Sequence, residues 1–336
     1  MGGRGRISLS ALALAIFTLS QVSVAGDLSP ASVTVNSRPI TEFRIGSQER
    51  RFGPLEFVGG LEMTASSRKF GSMSSFRFRS PGGAFIGVAD TGFWFFGRVA
   101  RDSEGRPGGF ADFRVEPIAD PDGQVTGDKW TTDAEGIGIL GDVASVSFER
   151  EHRISEYRID SEGVEGPLRH LDFLVPAYEL RRNGGFETVV YAPEDHPLTG
   201  ARVALTEKSV DKAGNIFAAV LEGPRKGVFT VARHDAFDIT DGAFLPNGDL
   251  LLLERYYSPA SGVAMRLRRI DGSTIESGAV VDGPILLTAD MGYQIDNMEG
   301  LDVWRRDDGA TMISILSDDN QSILQRNIYL EFRLAE

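Results

Sequence analysis

Carboxylates recur along this 336-residue chain at the edges of short apolar runs. The clusters read Asp133-Ala134-Glu135-Gly136, Thr206-Glu207-Lys208, Asp241-Gly242-Ala243, Asn297-Met298-Glu299-Gly300 and Leu316-Ser317-Asp318-Asp319-Asn320. Acids belong in solvated loops, because an unpaired buried charge is expensive. Their repeated placement beside strand-like runs points to a radial fold that gathers them into one shared site. Carboxylates packed together repel, and a cation is needed to hold them ionised. Oxygen donors in a chain without cysteine select a hard divalent ion, calcium first, with magnesium or manganese behind it. Such an ion would polarise an ester and lower the pKa of a bound water.

Two rings of acids are expected at the channel mouth of a radial fold. Glu135, Glu207, Asp241 and Glu299 would form one; Asp90, Glu149, Glu254, Asp318 and Asp319 the other. Glu135, Glu299, Asp318 and Asp319 are the candidate metal ligands, and Asp241 or Glu254 the candidate catalytic base. Arg150, Lys208 and Arg255 each follow an acid directly. They would either neutralise the ring or grip an anionic substrate. Taken singly, each acid could equally cap a hairpin or pair with a neighbouring base; the repetition favours a site.

The elements that must position these residues are strands. Runs rich in Val, Ile, Leu, Phe and Tyr, such as Ser75 to Arg79, Val143 to Glu149, Leu250 to Glu254 and Ala264 to Ile270, alternate with Gly, Asp, Asn and Pro. An internal repeat separates a propeller from a sandwich or barrel. One unit runs from Glu135 to Asp160, a second from Asp241 to Asp271, and a third from Glu299 to Phe332. Each starts with an acid before glycine and reaches a second acid at the end of its next strand. A weaker copy spans Glu207 to Val231, and an early one spans Gly59-Gly60-Leu61 to Asp90. The expected fold is therefore an all-β propeller of six blades in a single domain over residues 50–336. Segments 101–130 and 176–200 read as loop-rich inserts, the first with a strand near Phe110 to Val115.

Arg4 and Arg6 precede an apolar run from Ile7 to Val24, and Ser23-Val24-Ala25 before Gly26 fits a small-residue cleavage site. Residues 1–25 are thus expected to be a Sec-type signal peptide and 26–49 an N-terminal segment, with the product periplasmic or secreted. Removing the two arginines takes the formal charge from −13 to −15. That charge argues against nucleic acid and anionic membrane as partners. It favours cations, or a small anionic ester held through a cation. No later run is long and apolar enough to span a membrane.

Other motifs dissolve on inspection. Gly136-Ile137-Gly138-Ile139-Leu140-Gly141 matches a dinucleotide fingerprint, but strand-like flanks and no helix surround it. Asp120-Pro121-Asp122-Gly123 opens like a calcium loop, yet Thr131 stands where its closing glutamate belongs. There is no Gly-x-Ser-x-Gly elbow, and the four histidines lack metal spacing.

The acid–Gly–Leu strand starts, the Leu316-Ser317-Asp318-Asp319-Asn320 run and Gly59-Gly60-Leu61 with Asp90 resemble the phytase-like family. That family is described as carrying an esterase-like activity of phytase and is found in exported bacterial proteins. The resemblance spans roughly residues 50 to 333. It implies a β-propeller whose recurring acids, here Glu135, Asp241, Glu299, Asp318 and Asp319, carry a phosphoesterase-type activity. The stretch from Thr64 to Gly71 departs from the pattern. The leading expectation is an exported metal-dependent hydrolase of a phosphate ester or similar anionic ester. The alternatives are a lactonase or carboxylic esterase on the same scaffold, or a non-catalytic periplasmic binding propeller.

Overall fold

The computed structural model describes residues 27–160 and 163–335; the expected signal peptide lies outside the described residues. The apolar runs form five sheets arranged as propeller blades, antiparallel except where Val280–Val281 runs parallel to Gly227–Val231 at the outer edge of the third. Their inner strands are Met73–Phe78, Ala134–Leu140, Phe186–Tyr191, Asp238–Phe244 and Asn297–Arg305, in blades 1 to 5. Each inner strand packs against the next around the ring, and blade 5 packs against blade 1.

The four consecutive leucines of Leu250–Ser258 show why the sequence reads as it does. Successive side chains of a strand point to opposite faces. Leu250 and Leu252 enter a core shared with blade 3, while Leu251 and Leu253 enter one shared with blade 5. The second strand of each blade is buried on both faces, so it reads as a largely continuous buried run and not an alternating one. The apolar interior is accordingly split into clusters between successive blades.

Blade 5 is composite. Its three C-terminal strands, Asn297–Arg305, Thr311–Asp318 and Asn327–Leu334, are completed by Leu55–Thr64 and Asn36–Ile40 from the start of the chain. Pairing runs antiparallel from Asn327 opposite Met63 to Leu334 opposite Leu55. This accounts for five blades where six were expected. Gly59-Gly60-Leu61 does not open a blade of its own; it closes the last one. The segment expected to precede the propeller also joins it, with Phe43 fully buried among the rings of Phe52, Phe57 and Phe332.

Residues 176–200, read as a loop-rich insert, contain the inner strand Phe186–Tyr191 of blade 3. The 101–130 segment holds the long strand Pro107–Pro117 of blade 1 and then a loop that leads into one short helix, Lys129–Thr132. No helix among the described residues is long and apolar enough to cross a membrane.

Five blades leave little room at the axis. A Cβ on Gly136 would lie 2.4 Å from the carbonyl oxygen of Glu187 in the neighbouring inner strand, and one on Gly138 would lie 2.7 Å from that of Val189. The Gly-x-Gly that imitates a cofactor loop is therefore a packing requirement. Gly136→Ala should lower stability by about 1–3 kcal/mol in urea unfolding, the usual cost of overpacking. An unchanged midpoint would mean that blades 2 and 3 are free to separate.

Candidate functional site

A register shift recurs at the same step between the first and second strands of every blade. It falls between Met73 and Ser75, Ala134 and Ile137, Phe186 and Thr188, Ile239 and Asp241, and Met298 and Gly300. Such bulges bend a strand and re-aim a side chain. The residues inside them include Ser74, Glu135, Glu187, Thr240 and Glu299. On the second strand, the position just beyond the partner of the residue before each bulge is Asp90, Glu149, Glu207, Arg255 or Asp318. One mouth of the propeller thus collects two tiers. In the second of them, blade 4 alone supplies a base where the others supply acids.

Neutralisation at this mouth is incomplete. Arg255 donates to Glu207 at 3.0 Å and approaches Glu299 at 2.8 Å, and it also bonds Asn297. Lys208 pairs with Glu207 at 2.5 Å, Lys129 with Asp90 at 2.7 Å, and Arg150 with Asp133. Glu135, Glu149 and Glu187 form no salt bridge among the described residues, and the charges of Lys129, Lys208 and Arg255 reach them only at longer range. Glu149 accepts the Gly184 backbone N–H; Glu135 and Glu187 accept nothing. Carboxylate oxygens of Asp133, Glu135 and Glu149 lie within 4.8 Å of one another, as do those of Glu149, Glu187 and Glu207. Glu187 is only 7% exposed. One carboxylate oxygen each of Asp90 and Asp133 is buried without a hydrogen bond.

The titration behaviour follows from this crowding. Burial first, then the neighbouring charges of Glu149, Asp133 and Asp90, push Glu135 well above the usual carboxylate range. Glu187 rises well above it through burial and the charges of Glu135 and Glu207. Burial also raises Glu149, and Asp318 rises strongly through burial with Asp90 and Glu299 nearby. Glu299 is pushed up to about 7 by burial, with Arg255 opposing the rise. These acids fit a hard divalent cation: the donors are all oxygen, and several buried ones lack any other partner.

The sequence-derived site residues divide into two groups. Glu135, Glu299 and Asp318 meet at the mouth with Lys208 and Arg255, and Arg150 reaches its edge through Asp133. Asp319 lies beside them but organises a loop, accepting from the backbones of Ser72 and Gln321 at 3.1 Å and from Asn327 at 2.7 Å. Asp241 and Glu254, the candidate bases, are elsewhere. Asp241 is fully buried on the axis beneath the bulges, held by both guanidinium nitrogens of Arg77 at 2.8 Å, by Ser75, and by the Leu301 N–H at 2.9 Å. Glu254 faces the interior of blade 4, between Arg266 and Arg268. Both point away because they sit one residue from the positions that the bulges turn to the mouth.

Glu187 is the acid the sequence reading passed over. Its signal was present, since Phe186-Glu187 repeats the apolar–Glu pattern of Ala134-Glu135 and Met298-Glu299. A threonine in place of the following glycine, and the loop-like Arg181 to Gly185 before it, concealed the match.

Two measurements check this arrangement. A carboxyl whose pKa is raised from 4.5 to about 7 on folding stabilises the fold below pH 4.5, and that contribution is lost as pH climbs through 7. Calcium should therefore raise the melting temperature more at pH 8 than at pH 5, and Glu299→Gln should shrink the difference; a pH-independent increment would contradict the assignment. Asp241→Leu should cost on the order of 3–5 kcal/mol by stranding Arg77, and adding Arg77→Met should recover most of it. Equal stability of the single and double variants would show that the pair is not coupled.

Among known proteins, the family model for phytase-like proteins, described as "Esterase-like activity of phytase", matches residues 68–321. No curated protein sequence matches the chain. Similar solved structures include glutaminyl cyclase from Myxococcus xanthus, at 11% identity and a TM-score of 0.44 over 84% of this chain and 97% of that one. A nidogen/laminin complex chain matches at 10% identity and a TM-score of 0.40 over 84% and 88%. A putative oxidoreductase (glucose dehydrogenase) from a Thermus species matches at 13% and 0.33 over 88% and 100%. Likeness at these levels carries no functional argument. The family match covers most of the propeller and both tiers of the mouth, and on that match the chain belongs to the phytase-like family.

Proposed function

We propose that this chain is an exported hydrolase that holds a divalent cation, calcium by preference, and cleaves a phosphate ester or a similar anionic ester. One observation supports the reading: two clusters, Asp133 with Glu135 and Glu149, and Glu149 with Glu187 and Glu207, share Glu149 at the mouth, and Glu135, Glu149 and Glu187 form no salt bridge among the described residues. Left alone, that convergence opposes folding; a bound cation would offset it. Export rests on the basic start and apolar run of residues 1–25.

The carboxylates of Glu135, Glu149 and Glu187 would hold the ion, flanked by Asp133 and Glu207, with Glu299 and Asp318 completing the far side of the mouth. When bound, the ion supplies charge stabilisation at the ester oxygen and a more acidic water. Glu299 takes the role of general base in place of Asp241 or Glu254. Its Oε1 is held by Asn297 at 2.9 Å and by Arg255 at 2.8 Å, which leaves Oε2 to accept a proton. A pKa of about 7 suits proton transfer near neutrality. Arg255 and Lys208 would orient the anionic group, each already fixed by Glu207.

The excess of acid over base at this mouth also suits a neutral ester, so a lactone or carboxylic ester is the second reading. Chelator-stripped protein should be assayed on phosphate mono- and diesters, inositol hexakisphosphate and simple lactones, with and without calcium. Calcium-dependent phosphate release is expected, with a pH–rate limb near 7. Glu299→Gln should lose that limb and about 100-fold or more in kcat. Lactone cleavage without phosphate release would move the assignment to the second reading. Silence on every substrate from folded, calcium-bound protein would leave a binding propeller.

A further inference from the structure

Beside the acid cluster, between blades 4 and 5, lies a cavity of about 660 Å³ whose outer part has no role in the hydrolysis proposed above. Its inner wall is Lys208 and Arg255, the two bases that also contact Glu207. Its outer walls are Tyr257, Val263, Met291 and Leu324. Three of these are large apolar side chains left to solvent: Tyr257 is 65% exposed, Met291 55% and Leu324 87%. Scattered exposed apolar residues need no explanation, but several around one concavity with a charged wall mark a ligand site.

The geometry ties this cavity to the chemistry. Arg255 and Tyr257 lie two residues apart on the strand Leu250–Ser258 and so share a face. Arg255 is locked by Glu207 and Glu299, which fixes its guanidinium at the boundary between cavity and cluster. An anionic group resting there places whatever is attached to it against the apolar walls. The charge balance limits that group to one. Lys208 and Arg255 are already matched by Glu207 and Glu299, and Asp238 and Asp296 line the same cavity. Asp238 and Asp296 are themselves paired with Arg233 and Arg326, so a ligand carrying several phosphates would find no further base in the lining to match its charge.

We infer that the cavity seats a hydrocarbon part of the substrate, so that the ester cleaved bears a single anionic group on an apolar body and is not a polyphosphate. The inference rests on the hydrolase reading for the word substrate, and on the cavity alone for the binding preference.

Non-hydrolysable phosphonates separate the two. Titration calorimetry on the calcium-loaded full chain would compare methylphosphonate, butylphosphonate and inositol hexakisphosphate. Each fully buried methylene is worth on the order of fourfold in affinity, so butylphosphonate should bind at least about tenfold more tightly than methylphosphonate. Met291→Asp combined with Leu324→Asp, both at exposed positions, should erase that chain-length preference, with near-ultraviolet circular dichroism confirming the fold. Equal affinities for the two phosphonates, no binding of either, or inositol hexakisphosphate binding as tightly as butylphosphonate would each overturn the inference. Butyl preference without cleavage of any ester would keep the cavity assignment and remove the hydrolase. Ester cleavage with no chain-length preference would keep the hydrolase and remove the cavity assignment.

Discussion

Closure of the ring is the constraint on which everything else rests. The strand Leu55–Thr64 lies in blade 5, pairing with Asn327–Leu334 from the far end of the chain on one side and with Asn36–Ile40 on the other. A five-bladed ring without this strand would expose the edge of Asn327–Leu334 and the apolar faces that Phe57, Leu61 and Met63 cover. With it, the last inner strand is held against the first, and the five bulges come to one mouth. The acids from blades 2, 3 and 5 could not otherwise stand within reach of one another.

Electrostatics at the axis are arranged in two depths, and the contrast explains the division of labour among the acids. Below, Asp241 has its oxygens saturated by Arg77, Ser75 and the backbones of Gly242 and Leu301. That pair spans from blade 1 to blade 4 across the front of blade 5 and plugs the channel with matched charge. A fully hydrogen-bonded buried pair is tolerated where a lone charge is not. Above, the carboxylates outnumber the bases and several of them lack partners. The lower level is built for structure, while the mouth above it is under electrostatic load that a bound cation would relieve. Arg255 stands at the junction: it occupies the position where the other blades place an acid, and so neutralises the blade 4 side, while the mouth carboxylates without a salt bridge among the described residues, Glu135, Glu149, Glu187 and Asp318, lie on blades 2, 3 and 5.

Much of the fold could be read from the chain because its signals are local. Runs such as Leu250 to Glu254, buried on both faces, and the turn at Pro246-Asn247-Gly248-Asp249 identify strands and hairpins without reference to anything distant. The acid–glycine repeat indicated radial symmetry, and the positions of Glu135, Glu299 and Asp318 followed from it. The blade count did not, because the first repeat copy, Gly59-Gly60-Leu61, looks alike whether it opens a blade or completes one. Nor did Glu187, whose strand follows a glycine-rich approach that resembles a loop.

An all-β repeat without cysteine, with acids at recurrent strand positions, follows from local signals alone, because periodicity, turn residues and composition act over a few residues. Which of those acids share a site depends on how the blades come together in space. A one-residue bulge separates Glu299, turned to the mouth, from Gly300 on the axis, and it separates Thr240 from the buried Asp241 in the same way. That offset reverses the face a side chain occupies while leaving the local pattern of the sequence almost unchanged. Which carboxylate is neutralised, and which is left without a salt bridge, is then set by bases from other blades, at distances in sequence that no local pattern encodes.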